Sequence, residues 1–213
     1  MPSDAAARAV RAGIGRRVDL ATEGARLGAV GRRAIGAICG AVVALAVLSA
    51  SAAQPLPKPG VRYEPTEPDV VNAMVRLARV NDRDVVYDLG CGDGRVVIAA
   101  VRAGAARGVC VDVDPQRIAE SRENAERAGV ADRVRFLNQD LFATDLGEAT
   151  VVMLFLSPEF NLKLKPRLQR ELKAGARIVS HWHSMGDWEP QQTLRLTSAG
   201  RERNIFLWTI APR

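Results

Sequence analysis

The sequence predicts an α/β protein whose doubly wound, mostly parallel sheet ends in an antiparallel hairpin. Two observations carry this prediction. From residue 61 onward, short apolar runs rich in β-branched residues alternate with segments of helical periodicity. Near the C-terminus, two strand-like runs flank Gly200 with no helix between them. Repeated strand–helix units give a parallel sheet covered on both faces, so five parallel strands and the hairpin make a sheet of seven.

The first element of this domain is predicted to be a helix. Thr66 is expected to cap it, because a hydroxyl accepts hydrogen bonds from free N–H groups. Pro68 suits the first turn, and Asp69 favours the positive end of the helix dipole. Further helices are predicted over residues 95–103, 115–128 and 160–173, and strands over residues 85–89, 107–112, 134–137, 150–156, 176–180, 194–197 and 205–210.

Charge is distributed unevenly along the chain, which has 213 residues and a formal net charge of +6. Residues 1–53 contain seven arginines against three acidic residues, so most of the excess positive charge lies there. The nearly neutral remainder gives no electrostatic reason to expect a nucleic-acid partner. Three cysteines and two histidines are too few for a disulfide framework or a cysteine zinc site, and no metal is expected.

Three segments organise the chain: a leader over residues 1–53, a proline-rich linker over residues 54–60 and a domain over residues 61–213. The leader has a basic start, an uncharged apolar stretch and small residues at its end, which are the three parts of an export signal. We expect residues 34–53 to be a cleaved signal, with a retained membrane anchor or a buried helix as alternatives. The basic flank predicts an exported or membrane-anchored domain, and a domain on the cytoplasmic side stays open.

A glycine-rich loop follows the first predicted strand and contains Gly90, Gly92 and Gly94. Glycines let the backbone approach a ligand where a Cβ would collide. Dinucleotide sites use G-x-G-x-x-G and bind a pyrophosphate at a helix N-terminus. Here the third glycine comes one position early, and Asp88 stands two positions before the first. This spacing favours a ligand that lacks phosphate and carries positive charge.

Two further acids follow the next two predicted strands. Asp112 ends the second strand, where an acid can accept hydrogen bonds from both hydroxyls of a ribose. Asp140 follows the third strand and can accept from the exocyclic amine of adenine. Because a doubly wound sheet binds its ligand at the carboxyl ends of its strands, the loop and the acids predict a site for S-adenosylmethionine.

Three stretches of the domain, over residues 61–66, 85–100 and 172–188, look like a known family. They resemble the small protein-lysine methyltransferases of the seven-stranded, Rossmann-like class. That family includes archaeal enzymes of broad specificity and mitochondrial enzymes that act on the c-subunit of ATP synthase and on the adenine nucleotide translocase. The resemblance covers residues 61–213 and implies methyl transfer from S-adenosylmethionine to a protein lysine. It departs from the family at Trp182-His183, where an acidic–aromatic pair is expected.

The sequence contains no complete motif for the residues that bind the methyl acceptor. Enzymes that methylate amide or base nitrogens carry Asn/Asp-Pro-Pro-Tyr/Phe after the fourth strand, whereas this chain has Leu156-Ser157-Pro158-Glu159. Glu159 is a candidate to orient the acceptor ammonium or to pass its proton to water, and otherwise caps the following helix. His181 is a candidate proton acceptor or fills space. Tyr63 is predicted to cover the cofactor with its ring or to pack the segment before the first helix.

Two alternatives to protein lysine stay open at this point. One is a methyltransferase for a small molecule, and the other is a non-catalytic, exported binding module of the same fold. The apolar leader would keep the domain at or across a membrane. The expected partner is therefore a membrane-associated or exported protein that carries the acceptor lysine.

Overall fold

The computed structural model describes Leu56 and residues 63–212. The leader over residues 1–53, most of the linker and the first two residues of the domain lie outside the described residues. The predictions of a signal, an anchor and membrane contact fall on that part of the chain. Within the described residues, no helix combines the length and the hydropathy that a membrane span needs.

Residues 63–212 form a domain of four α-helices and seven strands. In chain order these are α1 (Pro68–Leu77), β1 (Val85–Leu89), α2 (Arg95–Arg102), β2 (Arg107–Asp112), α3 (Pro115–Arg127), β3 (Val134–Asn138), β4 (Val151–Leu154), α4 (Pro158–Glu171), β5 (Arg177–His181), β6 (Gln192–Ser198) and β7 (Arg201–Thr209).

The strands form one seven-stranded sheet in the order β3-β2-β1-β4-β5-β7-β6. Strands β1 to β5 are parallel, and β7 joins antiparallel to both β5 and β6. The predicted fold is therefore confirmed, including its C-terminal hairpin. The strand order reverses between β1 and β4, and ligands bind beyond the carboxyl ends of the strands at such a point.

The core consists of two apolar clusters, one on each face of the sheet. One cluster joins alternate residues of the central strands, such as Val86 and Val151, to the apolar faces of α1, α2 and α3. The other joins the opposite face, with Tyr87 and Val152, to Leu164 and Leu168 of α4. Because side chains alternate along a strand, both faces are apolar and both are covered.

Two helix starts differ from the predictions. Thr66 does not cap α1: the N-cap residue is Glu67, which makes no side-chain cap bond, and the Thr66 hydroxyl lies 3.4 Å from Nδ1 of His181. The capping prediction is wrong because a distant partner competes for that hydroxyl. Helix α4 begins at Pro158, ahead of the predicted residue 160, because Ser157 accepts the hydrogen bond of the Phe160 N–H.

Candidate functional site

The glycine loop joins β1 to α2 at the carboxyl edge of the sheet and runs against the end of β2. The N–H groups of Gly90 and Cys91 both donate to the carbonyl of Val111, at 2.8 and 3.0 Å. Gly92 and Gly94 have φ values of 53° and 78°, which favour glycine. A Cβ on Gly94 would lie 2.8 Å from Cβ of Ser121. The loop therefore has a backbone path that other residues cannot follow.

Asp112 holds this loop in place from the end of β2. One carboxylate oxygen accepts from the N–H of Gly92 at 3.0 Å, and the other accepts from the N–H of Asp114 at 2.9 Å. Each carboxylate oxygen has a second lone pair, so both can still accept from ribose hydroxyls. The proposed ribose acid thus also positions the loop. Asp114 caps α3 by accepting from the N–H of Gln116.

A disulfide between Cys91 and Cys110 joins the glycine loop covalently to β2. Both cysteines are buried. Cys91 lies between Gly90 and Gly92, and Cys110 lies two residues before Asp112. The bond therefore connects two of the predicted cofactor-binding segments. This pairing could not be predicted from the sequence, because the sequence does not reveal that the loop folds back onto β2.

Asp88 lies at the end of β1 below the loop, and it is 4% exposed. Its Oδ2 has no hydrogen-bond partner among the described residues. Burial raises the pKa of this carboxyl to about 7, and the negative charges of Asp112 and Asp93 add to the effect. An unpaired buried carboxylate oxygen is costly unless a ligand supplies a donor. The arrangement fits the positively charged amino group of S-adenosylmethionine.

Tyr63 covers the glycine loop from the segment before α1. A Cβ on Gly92 would collide with its ring, and the Arg117 guanidinium lies 4.6 Å from the ring centroid. Arg95 fixes the same segment: it pairs with Asp93 at 2.6 Å and donates to the Thr66 carbonyl at 2.9 Å. A cavity remains between this segment, Asp88, Gly90 and Phe155. Tyr63 is thus placed to shield the cofactor from water.

Asp140 lies on the same edge, next to β3 and β2. It caps a short 3-10 helix over Leu141–Ala143 by accepting from the Phe142 N–H at 2.8 Å. The main chain beside it is joined to β2 because the Gln139 N–H donates to the Asp112 carbonyl at 3.1 Å. The structure thus brings Asp88, Asp112 and Asp140 onto the ends of three neighbouring strands, as the sequence predicted.

His181 ends β5 at the same edge of the sheet and is buried. Its ring centroid lies 4.2 Å from that of Phe155, and its Nε2 has no partner among the described residues. Burial lowers the pKa of His181 to about 4, and the positive charge of Arg203 lowers it further. The imidazole is therefore uncharged at neutral pH and can take one more hydrogen bond.

Glu159 lies in the first turn of α4 and is exposed. The alternative interpretation, that Glu159 caps this helix, is wrong because Ser157 is the N-cap. Sequence reasoning missed Phe155, whose ring links the cavity to His181, and the contact between Thr66 and His181. The prediction placed Phe155 inside the fourth strand, over residues 150–156, whereas β4 ends at Leu154 and leaves Phe155 directly after it.

Comparison with known proteins agrees with this geometry. Residues 88–192 match the family described as the ANTKMT methyltransferase domain. A protein-lysine N-methyltransferase of Saccharolobus islandicus is 39% identical over 153 residues, which cover 71% of this chain and 95% of that protein. A lysine N-methyltransferase of Xenopus laevis, named for the c-subunit of ATP synthase, is 33% identical over 158 residues, which cover 74% of this chain and 69% of that protein.

A solved structure is also similar. It is described as an RNA methyltransferase from Salinibacter ruber in complex with S-adenosyl-L-homocysteine. It is 46% identical, with a TM-score of 0.67, and the match covers 70% of this chain and 95% of that one. Its bound ligand is the product that S-adenosylmethionine becomes on losing a methyl group, which agrees with the cofactor assigned to this chain.

Proposed function

The chain belongs to the family of S-adenosylmethionine-dependent protein-lysine methyltransferases, and we propose that it methylates the side-chain amine of lysine in a membrane-associated or exported protein. The observation that carries the amine acceptor is the buried, uncharged His181 beside Phe155. An ammonium that enters the apolar surroundings of His181 and Phe155 loses its hydration, and such burial lowers the pKa of an amine. A lysine near pKa 10.4 needs this help to become a nucleophile at neutral pH.

S-adenosylmethionine supplies a methyl group that its sulfonium already activates. The side chains of this protein therefore bind, align and exclude water. Asp88, Asp112 and Asp140 would hold the cofactor's amino group, ribose and adenine, and the glycines at 90, 92 and 94 leave room for it to approach the backbone. Tyr63 would cover the reacting groups.

The acceptor amine has its own set of side chains. Nε2 of His181, which has no partner within residues 63–212, can hydrogen-bond the amine without adding charge. Its pKa of about 4 makes it a positioning group, since an imidazole this acidic does not keep a proton taken from an amine. Glu159 is exposed in the first turn of α4, at the same edge of the sheet, and its charge would attract the acceptor ammonium.

Two other acceptor classes receive less support. The relatives named as lysine methyltransferases favour protein lysine over a small molecule, and the intact cofactor site disfavours a non-catalytic module. The similar solved structure is described as an RNA methyltransferase. In this chain, however, the domain that follows the leader is nearly neutral, which gives no long-range attraction for RNA.

The proposed location at a membrane has two supports. The leader over residues 34–53 has the pattern of an export signal or anchor. The Cys91–Cys110 disulfide is a bond that persists in oxidising compartments such as the bacterial periplasm. Alkaline phosphatase fused after residue 212 tests the location, because that reporter is active only where disulfides form. An inactive fusion, with an active cytoplasmic reporter at the same point, would place the domain in the cytoplasm.

The acceptor is tested by mass spectrometry of membrane and soluble proteins from cells with and without the gene. We expect a mono-, di- or trimethylated lysine that disappears on deletion and returns with the wild-type gene. The Asp88→Ala variant should not restore it, whereas Asp114→Ala, which alters only a helix cap, should. Label from S-adenosylmethionine that enters only RNA or small molecules would contradict the lysine acceptor.

A further inference from the structure

Trp182 has an unusual backbone conformation at the edge of the acceptor site. It directly follows His181, at the carboxyl end of β5. Its φ is 70°, and the N–H of His183 donates to the carbonyl of His181 at 2.9 Å. This hydrogen bond spans two residues, as in a γ-turn with Trp182 at its centre, and a γ-turn with positive φ is rare and strained. For a residue as bulky as tryptophan, such a φ is an outlier.

The strain at Trp182 lacks the usual explanation. Among the described residues, two other non-glycine residues have positive φ: Arg79 at 52° and Ala199 at 47°. Arg79 follows the C-cap of α1, and Ala199 lies in the turn between β6 and β7, where left-handed residues are common. Trp182 lies in neither setting. Strain that the surrounding structure maintains clusters at functional sites.

Several hydrogen bonds hold this turn. The N–H of Trp182 donates to the Asn204 carbonyl of β7 at 2.7 Å. The carbonyl of His183 accepts from Oγ of Ser180 at 2.7 Å and from Nδ2 of buried Asn161 at 3.0 Å. The N–H of the tryptophan and the carbonyl of the residue after it are thereby fixed, and these bonds maintain the strained turn.

The indole of Trp182 is held on one side and open on the other. The guanidinium of Arg203 lies 4.6 Å from the ring centroid, and Arg203 is itself buried. The tryptophan nevertheless remains 39% exposed. Because Arg203 already supplies a cation to the ring, a second cation on the open side is repelled, whereas an apolar chain is not.

A row of rings connects this open indole to the cofactor cavity. Phe155 lines the cavity, and its centroid lies 4.2 Å from that of His181. His181 in turn meets Trp182 edge-on, with centroids 6.2 Å apart. A lysine side chain reaches roughly 6 Å from Cα to Nζ. This length matches the separation of the two rings, so a lysine whose amine lies beside His181 can place its aliphatic stem against Trp182.

We propose that Trp182 is a specificity-determining residue whose open indole packs against the aliphatic stem of the acceptor lysine. The inference rests on the proposed lysine acceptor. Long charged side chains pack their methylene groups on apolar surfaces while the charged end extends beyond. The strained turn holds the ring in a fixed position. A side chain as long as lysine can pack its stem on the ring while its amine reaches His181, and a shorter side chain cannot do both.

The test uses poly-L-lysine and poly-L-ornithine as acceptors, because ornithine is shorter than lysine by one methylene. Trp182→Gly removes the ring and suits the positive φ, so the melting temperature should not fall. We expect its KM for poly-L-lysine to rise roughly tenfold, with unchanged cofactor affinity. The wild-type preference for lysine over ornithine, about fourfold for one buried methylene, should disappear. Trp182→Phe should keep most of that preference.

Trp188→Phe is the matched control, because it alters a tryptophan of the same loop whose ring packs on Trp208. It should leave both the KM and the preference unchanged. If the wild-type protein methylates lysine but Trp182→Gly keeps the same KM and preference, the inference is wrong and the proposed function stands. A Trp182→Gly variant that melts earlier and binds cofactor more weakly would make Trp182 a structural residue. A wild-type protein that methylates no lysine, on this polymer or in membranes, overturns both proposals.

Discussion

The half of the sheet edge that we propose binds the cofactor, at the ends of β1 to β3, differs in construction from the proposed acceptor half at the ends of β4 and β5. In the cofactor half, main-chain N–H groups of the glycine loop are held by the Val111 carbonyl and by Asp112. In the acceptor half, the edge carries side chains in contact with one another, chiefly the rings of Phe155, His181 and Trp182. A site built from backbone depends on glycine and tolerates few changes, whereas a site built from rings can be altered one side chain at a time.

This difference predicts that the largest single loss comes from the glycine loop. Gly92→Val places a branched side chain at a φ of 53° and against the ring of Tyr63. We expect cofactor affinity to fall at least roughly a thousandfold while the sheet stays folded. Calorimetry with S-adenosylmethionine measures the loss, and circular dichroism checks the fold. Unchanged affinity would remove the loop from the cofactor site.

The disulfide should contribute next most, and to both stability and binding. Cys91 and Cys110 are 19 residues apart, and closing a loop of this length stabilises a protein by about 3 kcal/mol. Reduction with a dithiol should lower the melting temperature and weaken the cofactor. Bound cofactor should in turn make the disulfide harder to reduce, because such coupling is reciprocal. A Cys91→Ser/Cys110→Ser double variant with unchanged melting temperature and affinity would show that hydrogen bonds alone hold the loop.

Asp112→Ala should weaken cofactor binding by roughly 2–3 kcal/mol, because it removes charge-assisted hydrogen bonds to the ribose and to the Gly92 N–H. The matched control is Asp114→Ala, since Asp114 caps α3. The control should cost about 1 kcal/mol of stability and leave cofactor affinity unchanged. Asp112→Ala should weaken the binding of a cofactor analogue without ribose hydroxyls less than it weakens the binding of S-adenosylmethionine. Equal losses would leave Asp112 with only its role in the loop.

Asp88 should make cofactor affinity depend on pH. Its pKa is raised to about 7, so the carboxyl is largely neutral at pH 6 and charged at pH 8. Since the charged form attracts the cofactor's ammonium, affinity should be roughly tenfold lower at pH 6 than at pH 8. The folded protein holds a proton that the unfolded chain releases above its ordinary pKa near 3.8. The protonated Asp88 carboxyl therefore contributes to the free energy of unfolding fully below pH 3.8, and this contribution is lost as the pH rises through about 7.

Asp88→Asn removes this titration and serves as the control for the pH dependence. The variant should bind the cofactor more weakly at pH 8 and show a flat affinity between pH 6 and pH 8. A wild-type protein with equally flat affinity would indicate that the carboxyl does not meet the ammonium.

The smallest effect is expected in the acceptor half. Glu159 is exposed, and attraction between exposed charges is weak. Glu159→Gln should raise the KM for a lysine acceptor two- to threefold, which is about 0.5 kcal/mol, and leave cofactor affinity unchanged. The effect should vanish in high salt because exposed charges are screened. A loss of kcat by a hundredfold would instead make Glu159 part of the catalytic machinery.

Much of the cofactor half could be predicted from the sequence. The glycine loop and Asp140 each follow a strand, and Asp112 ends one. Because parallel strands end at the same edge of a sheet, these residues were expected to meet there. These predictions succeed because each depends on a few neighbouring residues and on one general rule about parallel sheets.

The sequence by itself thus determined the α/β class, the hairpin and the edge on which the cofactor-binding residues meet. Only the tertiary structure decided that Cys91 bonds to Cys110, that Thr66 contacts His181 instead of capping α1, and that Trp182 sits in a strained turn. The physical reason is distance along the chain. The Thr66–His181 contact spans 115 residues and exists because α1 packs against β5. Local propensity carries no information about which distant atom competes for a hydroxyl or a ring.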